Sequence, residues 1–270
     1  MKLLAVLVNY GDEQLDYLQE VVSGFKKIEK YDVTIVVQSN IPLNIKGIDK
    51  VNVVKLKNYQ FLPLTCREEI WKRKDDFDVF IYGENDHLFL EKHIDRHLEY
   101  SEILPDNRIP GLIQYEESTD GLYYPGYHSH FEWDFNSVET YKGKVFAHFR
   151  NTHQATFILT KSQLEKVSKK LDFTKLVQYR FSYVLNTFLN SLRKIIKQPI
   201  KEPFRYSYKC KVNTDIYDFG GMKKMICISE LDDNLIHHLP NLYIKGLKGR
   251  TKLNSDQLRM NESLKKLLKK

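Results

Sequence analysis

An acidic residue is a poor ending for a buried strand unless something offsets its charge. Yet Glu84-Asn85-Asp86 directly follows the apolar run Asp78-Val79-Phe80-Ile81-Tyr82. Two carboxylates with one residue between them could hold a divalent cation, one directly and one through water or a ligand hydroxyl. Mg2+ and Mn2+ favour one or two protein carboxylates completed by phosphate oxygens. The plainer alternative is that Asp86 caps the next helix and Glu84 is solvated. A second acidic pair, Glu116-Glu117, follows Leu112-Ile113-Gln114-Tyr115, which reads as a strand presenting Glu116 at its end. A carboxylate there can act as acid or base, or simply belong to a charged turn. Asp134, in Glu132-Trp133-Asp134, is the alternative base. Late in the chain stands His237-His238. Adjacent strand residues face opposite ways, so only one of the two reaches a given site. The alternative is a pair of surface or core histidines.

The elements that must position these residues alternate through the first third of the chain. Leu3 to Val8 reads as a buried strand ending in Asn9-Tyr10-Gly11. Glu13 to Glu29 carries Leu15, Leu18, Val21, Val22, Phe25 and Ile28 at helical spacing. Val33 to Val37 is a second strand, ending at Gln38-Ser39-Asn40, and Val51 to Leu56 is a third. Leu64 to Lys74 predicts a helix with Thr65 as N-cap, and Asp78 to Tyr82 is the fourth strand. Continuous apolar strands separated by helices predict an α/β fold, with a mixed, mostly parallel sheet covered on both faces. Ligands of such sheets bind beyond the carboxyl ends of the strands. Those ends carry Asn9-Tyr10, Ser39-Asn40 and Glu84-Asn85-Asp86.

The later chain is less regular. Gly121 to Trp133 is dense in aromatic residues, glycine and proline, and reads as a long functional loop. It would supply either an acceptor wall or an aromatic minicore. His148, Arg150, His153 and Gln154 crowd the next segment. A short strand over Ala155 to Leu159 and a helix over Lys161 to Leu171 follow. A long helix is predicted over residues 176–197, closed by Pro199, and a Lys-rich tail ends the chain.

Several of these segments together resemble the nucleotide-sugar domain of GT-A glycosyltransferases. They are Val8-Asn9-Tyr10, Gln38-Ser39-Asn40, Asp78 through His87, Ile109 through Glu116 and Gln154 through Leu164. The likeness covers roughly residues 1–165, and more weakly 237–241. It implies a GT-A-like (Rossmann-like) fold with a nucleotide-sugar part over 1–165. An acceptor-side, helical C-terminal part over 166–270 would pack on the same core. It further implies that Asn9, Tyr10, Ser39 and Asn40 face the nucleotide. Arg67 would reach the nucleotide or diphosphate, with Glu84 and Asn85 near the ribose. Asp86 would bind Mn2+ or Mg2+, joined by Glu84 and by His237 or His238. Glu84 stands where the family carries Asp, one methylene longer. Glu116, or else Asp134, would take the proton from an acceptor hydroxyl. The implied reaction moves a sugar from a nucleotide-diphosphate donor to a glycan or lipid-linked acceptor, as in surface polysaccharide synthesis.

Composition narrows the rivals. The chain has 270 residues, 42% hydrophobic and 13% aromatic, enough apolar mass to exclude a disordered chain. Cys66, Cys210 and Cys227 are too few and scattered for a disulfide framework. No apolar run approaches the ~20 residues that span a bilayer. The expectation is a soluble, cytoplasmic protein. A net charge of +7 allows nucleic acid, an anionic membrane or a phosphorylated ligand as partner. A basic nucleic-acid-binding protein would explain the charge but not carboxylates at the strand ends. A nucleotidyltransferase on a related α/β fold would want a Gly-rich basic loop where Asn9-Tyr10-Gly11-Asp12-Glu13 stands. The excess lysines lie in the tail and later helices, where they could meet the inner face of a membrane peripherally.

Overall fold

The first strand, β1 (Lys2–Asn9), buries every side chain from Leu3 to Asn9. A strand that is apolar on both faces needs cover on both. β2 (Asp32–Ser39) runs parallel to it, with Asn9 opposite Ser39, and β3 (Lys50–Val53) continues beyond β2. β4 (Val79–Glu84) is parallel to β1 on its other side, with Val8 opposite Glu84. An antiparallel strand, β11 (Thr156–Thr160), closes the order β11-β4-β1-β2-β3. The computed structural model describes residues 1–119, 121–125, 132–178, 188–189, 191–193, 195–196, 206–244 and 257–269.

The two-residue period of the strands sorts the core into two layers. Leu3, Ala5 and Leu7 face α1 (Leu15–Lys26) through its Leu18, Val21, Val22 and Phe25. Leu4, Val6 and Val8 face the opposite layer, built from α2 (Leu62–Lys72), α4 (Lys161–Ser168) and α5 (Tyr208–Phe219). The helix α2 begins three residues before Thr65, with Pro63 in its first turn, where a missing N–H costs nothing. Thr65 is therefore inside the helix, donating to the Leu62 carbonyl at 2.7 Å, and is not its cap.

Two smaller sheets bind the halves of the chain together. One has the order β6-β12-β10-β9, from β6 (Arg108–Pro110), β9 (Glu139–Tyr141), β10 (Lys144–Ala147) and β12 (Lys223–Cys227). The other has the order β5-β13-β7-β8, from β5 (His87–Leu88), β7 (Ile113–Ser118), β8 (Gly121–Tyr123) and β13 (Leu235–His238). Between β5 and β6 lies α3 (Glu91–Ile103). Residues on either side of 165 thus share sheets as well as cores. The C-terminal part contributes two strands along with its helices, so it is not purely helical.

Three expectations meet the packing differently. The expected helix over 176–197 lies largely outside the described residues, as does 126–131 of the aromatic stretch. The described ends of that stretch, Tyr124 and Trp133, are buried with Phe149 in a third core, so they do not form a ligand wall. The tail helix, α6 (Gln257–Leu268), sinks Met260 and Leu267 into the same core. Its main apolar contacts face the protein, leaving Lys265, Lys266 and Lys269 exposed. Among the described residues no helix is long and apolar enough to cross a membrane.

Candidate functional site

The register of the β5-β13-β7 ribbon builds the site. β13 runs antiparallel to β5, setting His238 opposite His87, and parallel to β7, setting His237 opposite Tyr115. The Leu239 amide donates to the Asp86 carbonyl at 2.9 Å, anchoring the end of β13 to the turn after β4. Asp86, His87 and His238 meet there, all buried, with ligating atoms within 4.8 Å of one another. The His238 Nε2 lies 3.4 Å from Asp86 Oδ2. Its Nδ1 donates to Glu116 Oε1 at 2.6 Å. Glu116 is wholly buried and also accepts from the Tyr243 and Ile244 amides, at 3.0 and 2.8 Å. Asp86 caps no helix, since α3 starts at Glu91.

The electrostatics are those of a buried charge cluster in which the protonated His238 balances the carboxylates, a place a cation could take. Burial would raise the Asp86 carboxyl, but His87 and His238 beside it hold it below its ordinary range. Burial would likewise lower His238, and Asp86 and Glu116 instead push it up to about 9. Glu116, despite burial, is held low by His238 and the two amides. Asp86 Oδ1 and His87 Nδ1 are 2.7 Å apart, yet neither makes an aligned hydrogen bond. The Gln114 side-chain amide donates to His87 Nε2, so the ring proton sits on Nδ1 and faces Asp86 Oδ1, and a divalent cation held by Asp86 and His87 would take that proton's place. One carboxylate and two imidazoles form a donor set that suits Mn2+ better than Mg2+. Glu116 behind His238 is the outer carboxylate that fixes a metal-binding imidazole's orientation and basicity. The residues present therefore fit a divalent metal.

Beside this cluster the strand ends are pinned by short polar side chains. Asn85 donates to Asn9 Oδ1 at 2.7 Å, and Asn9 donates to the Gly11 carbonyl at 2.9 Å and to Ser39 Oγ at 3.4 Å. The Asn40 side chain accepts from the Gly11 amide at 2.7 Å. Gly11 has a φ of 72°, which a side chain would resist. Sequence reasoning brought Asn9, Ser39, Asn40 and Asn85 to one place, and the structure brings them together as a network that holds the crevice rim. Tyr10 is the exposed member, 62% accessible, with its ring 5.4 Å from that of Tyr59.

Other expected residues have different placements. Arg67 is fully buried in the core below the sheet. Its guanidinium donates to the carbonyls of Phe173, Asp172 and Lys175, at 2.6, 3.3 and 3.2 Å, and stacks over the Phe173 ring. Burial and those bonds hold it inside the core, out of reach of a diphosphate. Glu84 points to the opposite side of β4 from the metal cluster, among the charges that act on Cys66, Tyr82 and His153. Alternation sets Glu84 on the same face as Phe80 and Tyr82, whereas Asp86 lies past the strand's end in the turn, and Glu84 is not a member of the ligand group. Glu116, with no exposed surface and its oxygens occupied, orients His238 and is not placed to take an acceptor's proton. Asp134 closes its own turn, accepting from the Asn136 amide, and pairs with Lys223 at 3.6 Å. His237 faces away from the cluster and stacks on Tyr115, with centroids 4.8 Å apart. Tyr115, Glu117, His237 and Lys92 line a cleft of about 200 Å3 on that far face.

Sequence reasoning missed His87 and its partner Gln114, whose side-chain nitrogen lies 2.7 Å from His87 Nε2. The signal was available, because His87 directly follows the acidic pair. Compared with known proteins, the chain matches no family model and no curated sequence.

Proposed function

We propose that this protein is a metal-dependent glycosyltransferase of the GT-A type, moving a sugar from a nucleotide-diphosphate donor to a hydroxyl of a glycan or lipid-linked acceptor. The observation that carries this reading is the meeting of Asp86, His87 and His238, with ligating atoms within 4.8 Å of one another, at the carboxyl ends of the parallel strands of a mixed sheet. Asp86, His87 and His238 would hold Mn2+ or Mg2+. Such a cation, when bound, neutralises charge gathering on a departing diphosphate. The chain's own residues supply the rest. Tyr10 against Tyr59 offers an aromatic face to a nucleotide base. The network of Asn9, Ser39, Asn40 and Asn85 keeps the strand ends rigid, which is the condition for catalysis by positioning. Glu84, the strand-end carboxylate outside the metal group, suits ribose hydroxyls. The same reading puts the enzyme in the cytoplasm, with the exposed tail lysines toward an anionic membrane surface.

A thermal-shift panel of nucleoside diphosphates, with and without Mn2+, tests the reading. The expected result is Mn2+-dependent stabilisation by one diphosphate. No nucleotide response, together with salt-sensitive RNA binding, would overturn it.

A further inference from the structure

A second constellation lies on the other face of β4, and the metal chemistry does not use it. Cys210 sits in the first turn of α5, partly exposed. Its Sγ is 3.9 Å from His153 Nε2. The opposite ring nitrogen, His153 Nδ1, is 2.8 Å from Asn213 Oδ1. The Asn213 amide nitrogen is committed to the Thr152 carbonyl at 3.1 Å. Its oxygen must therefore be the atom that faces His153, so Nδ1 carries a proton and Nε2 is left to face the sulfur. Ser207, the residue before α5, leaves the helix's amides uncapped, and its hydroxyl instead donates to Cys210 Sγ at 3.2 Å. Cys210 and Asn213 are one helical turn apart, so both reach the same imidazole. Ala155, in the left-handed region at φ 52°, marks the turn that leads from His153 into β11.

We propose that Cys210, His153 and Asn213 form a nucleophilic thiolate site that takes low-molecular-weight disulfides, making Cys210 a site of reversible modification. Each part has a physical role. The imidazolium donates to the sulfur, the amide fixes the ring's tautomer and direction, and the helix N-terminus adds positive potential at the thiolate. In the exchange, the Cys210 thiolate adds to one sulfur of the disulfide and the S–S bond breaks. The other half leaves as a thiolate and takes a proton from solvent. Cys210 is oxidised to a mixed disulfide, and half of the incoming disulfide is reduced to a thiol. The charges around the pair are consistent with this chemistry. Burial would raise the Cys210 thiol, yet His153 and the Ser207 hydroxyl hold it below its ordinary range, against the opposing charge of Glu84. Burial would lower His153, and Cys210, Glu84 and Asn213 raise it to about 9. The inference stands independently of the transferase reading.

The test is the rate of alkylation of the full chain by iodoacetamide from pH 8 down to 6, with the modified residue located by mass spectrometry. Cys66 and Cys227 are fully buried, so the folded protein presents Cys210. An ordinary thiol slows roughly 100-fold over that range as its thiolate disappears. Cys210 is expected to slow less than about fivefold, and His153→Ala to restore the ordinary slope. Oxidised glutathione is expected to add once, at Cys210, and to be released by dithiothreitol. An ordinary slope in the unaltered protein, or a Cys210 silent toward both reagents while folded, overturns the proposal. The unaltered protein's own profile decides the matter even if His153→Ala does not fold.

Discussion

His238, buried, and His153, half-buried, are each held at Nδ1 by one side chain and face an ionisable group through Nε2. They differ in what holds them. Glu116, an anion, holds His238, and a second anion, Asp86, faces it. Asn213, a neutral amide, holds His153, and Cys210 faces it, with the Glu84 carboxylate farther off. Two carboxylates around one imidazole leave an excess of negative charge in a buried place, which calls for a cation. One thiol and a neutral amide are balanced as soon as the proton moves from sulfur to nitrogen. The same side chain therefore suits the proposed metal site on one face of β4 and the proposed thiolate site on the other. The residue behind the histidine makes the difference.

The comparison can be broken in four ways. Asp86→Asn removes the direct ligand, and is expected to abolish the Mn2+-dependent part of nucleotide stabilisation while the metal-free protein, though lower-melting for want of the carboxylate beside His238, still unfolds cooperatively. If the Mn2+ effect survives, the metal assignment falls. Glu116→Gln keeps the shape but not the charge behind His238, and should weaken Mn2+ binding about 10- to 100-fold by calorimetric titration. An unchanged affinity would mean that the outer carboxylate is irrelevant.

The third test turns on the histidines outside both clusters. Burial lowers His93, His97 and His148 to about 4, the reverse of His238 and His153. His97 Nε2 donates to Gln163 Oε1 at 2.8 Å, and among the described residues no carboxylate offsets its burial. Such a group binds a proton in the unfolded chain below about 6.5 but in the folded chain only below about 4. Stability is therefore present above that window and lost as pH falls through it. At pH 5 each such histidine costs about 2 kcal/mol relative to pH 7. Urea titrations at the two pH values should show His97→Gln recovering about that much of the loss. A variant with the parent's full acid sensitivity would break the distinction between the two kinds of histidine. The smallest expected effect is that of Asn213→Ala, which removes a neutral partner. It should move the pH dependence of Cys210 alkylation toward an ordinary thiol by about one pH unit, roughly tenfold in rate at pH 6. No movement would make Asn213 a bystander.

Much of the scaffold was legible because it is written in local periodicity. The continuous apolar runs of β1, β2 and β4 and the helical spacing of α1 predicted a parallel sheet with helices on its faces. The sheet in turn directed attention to Asn9, Ser39, Asn85 and Asp86 at its rim. Arg67 shows the limit. Its position on α2 suggested a diphosphate ligand, but it is buried and held by carbonyls from residues 172–175, more than a hundred positions later. Nothing near Arg67 in the chain announces them. His153 was visible only as one member of a polar segment, and the Cys210–Asn213 spacing became meaningful only once α5 was packed against it.

The sequence by itself determined the alternation of elements, the acidic turn after the fourth strand, and the fact that only one of His237 and His238 could enter a given site. Period and composition are properties of neighbouring residues, so they survive without a fold. Only the tertiary structure decided that His238 is the one, that Glu116 stands behind it and Asp134 does not, and that Cys210 meets His153. Those outcomes depend on strand register and helix docking, where a shift of one residue turns every side chain to the opposite face.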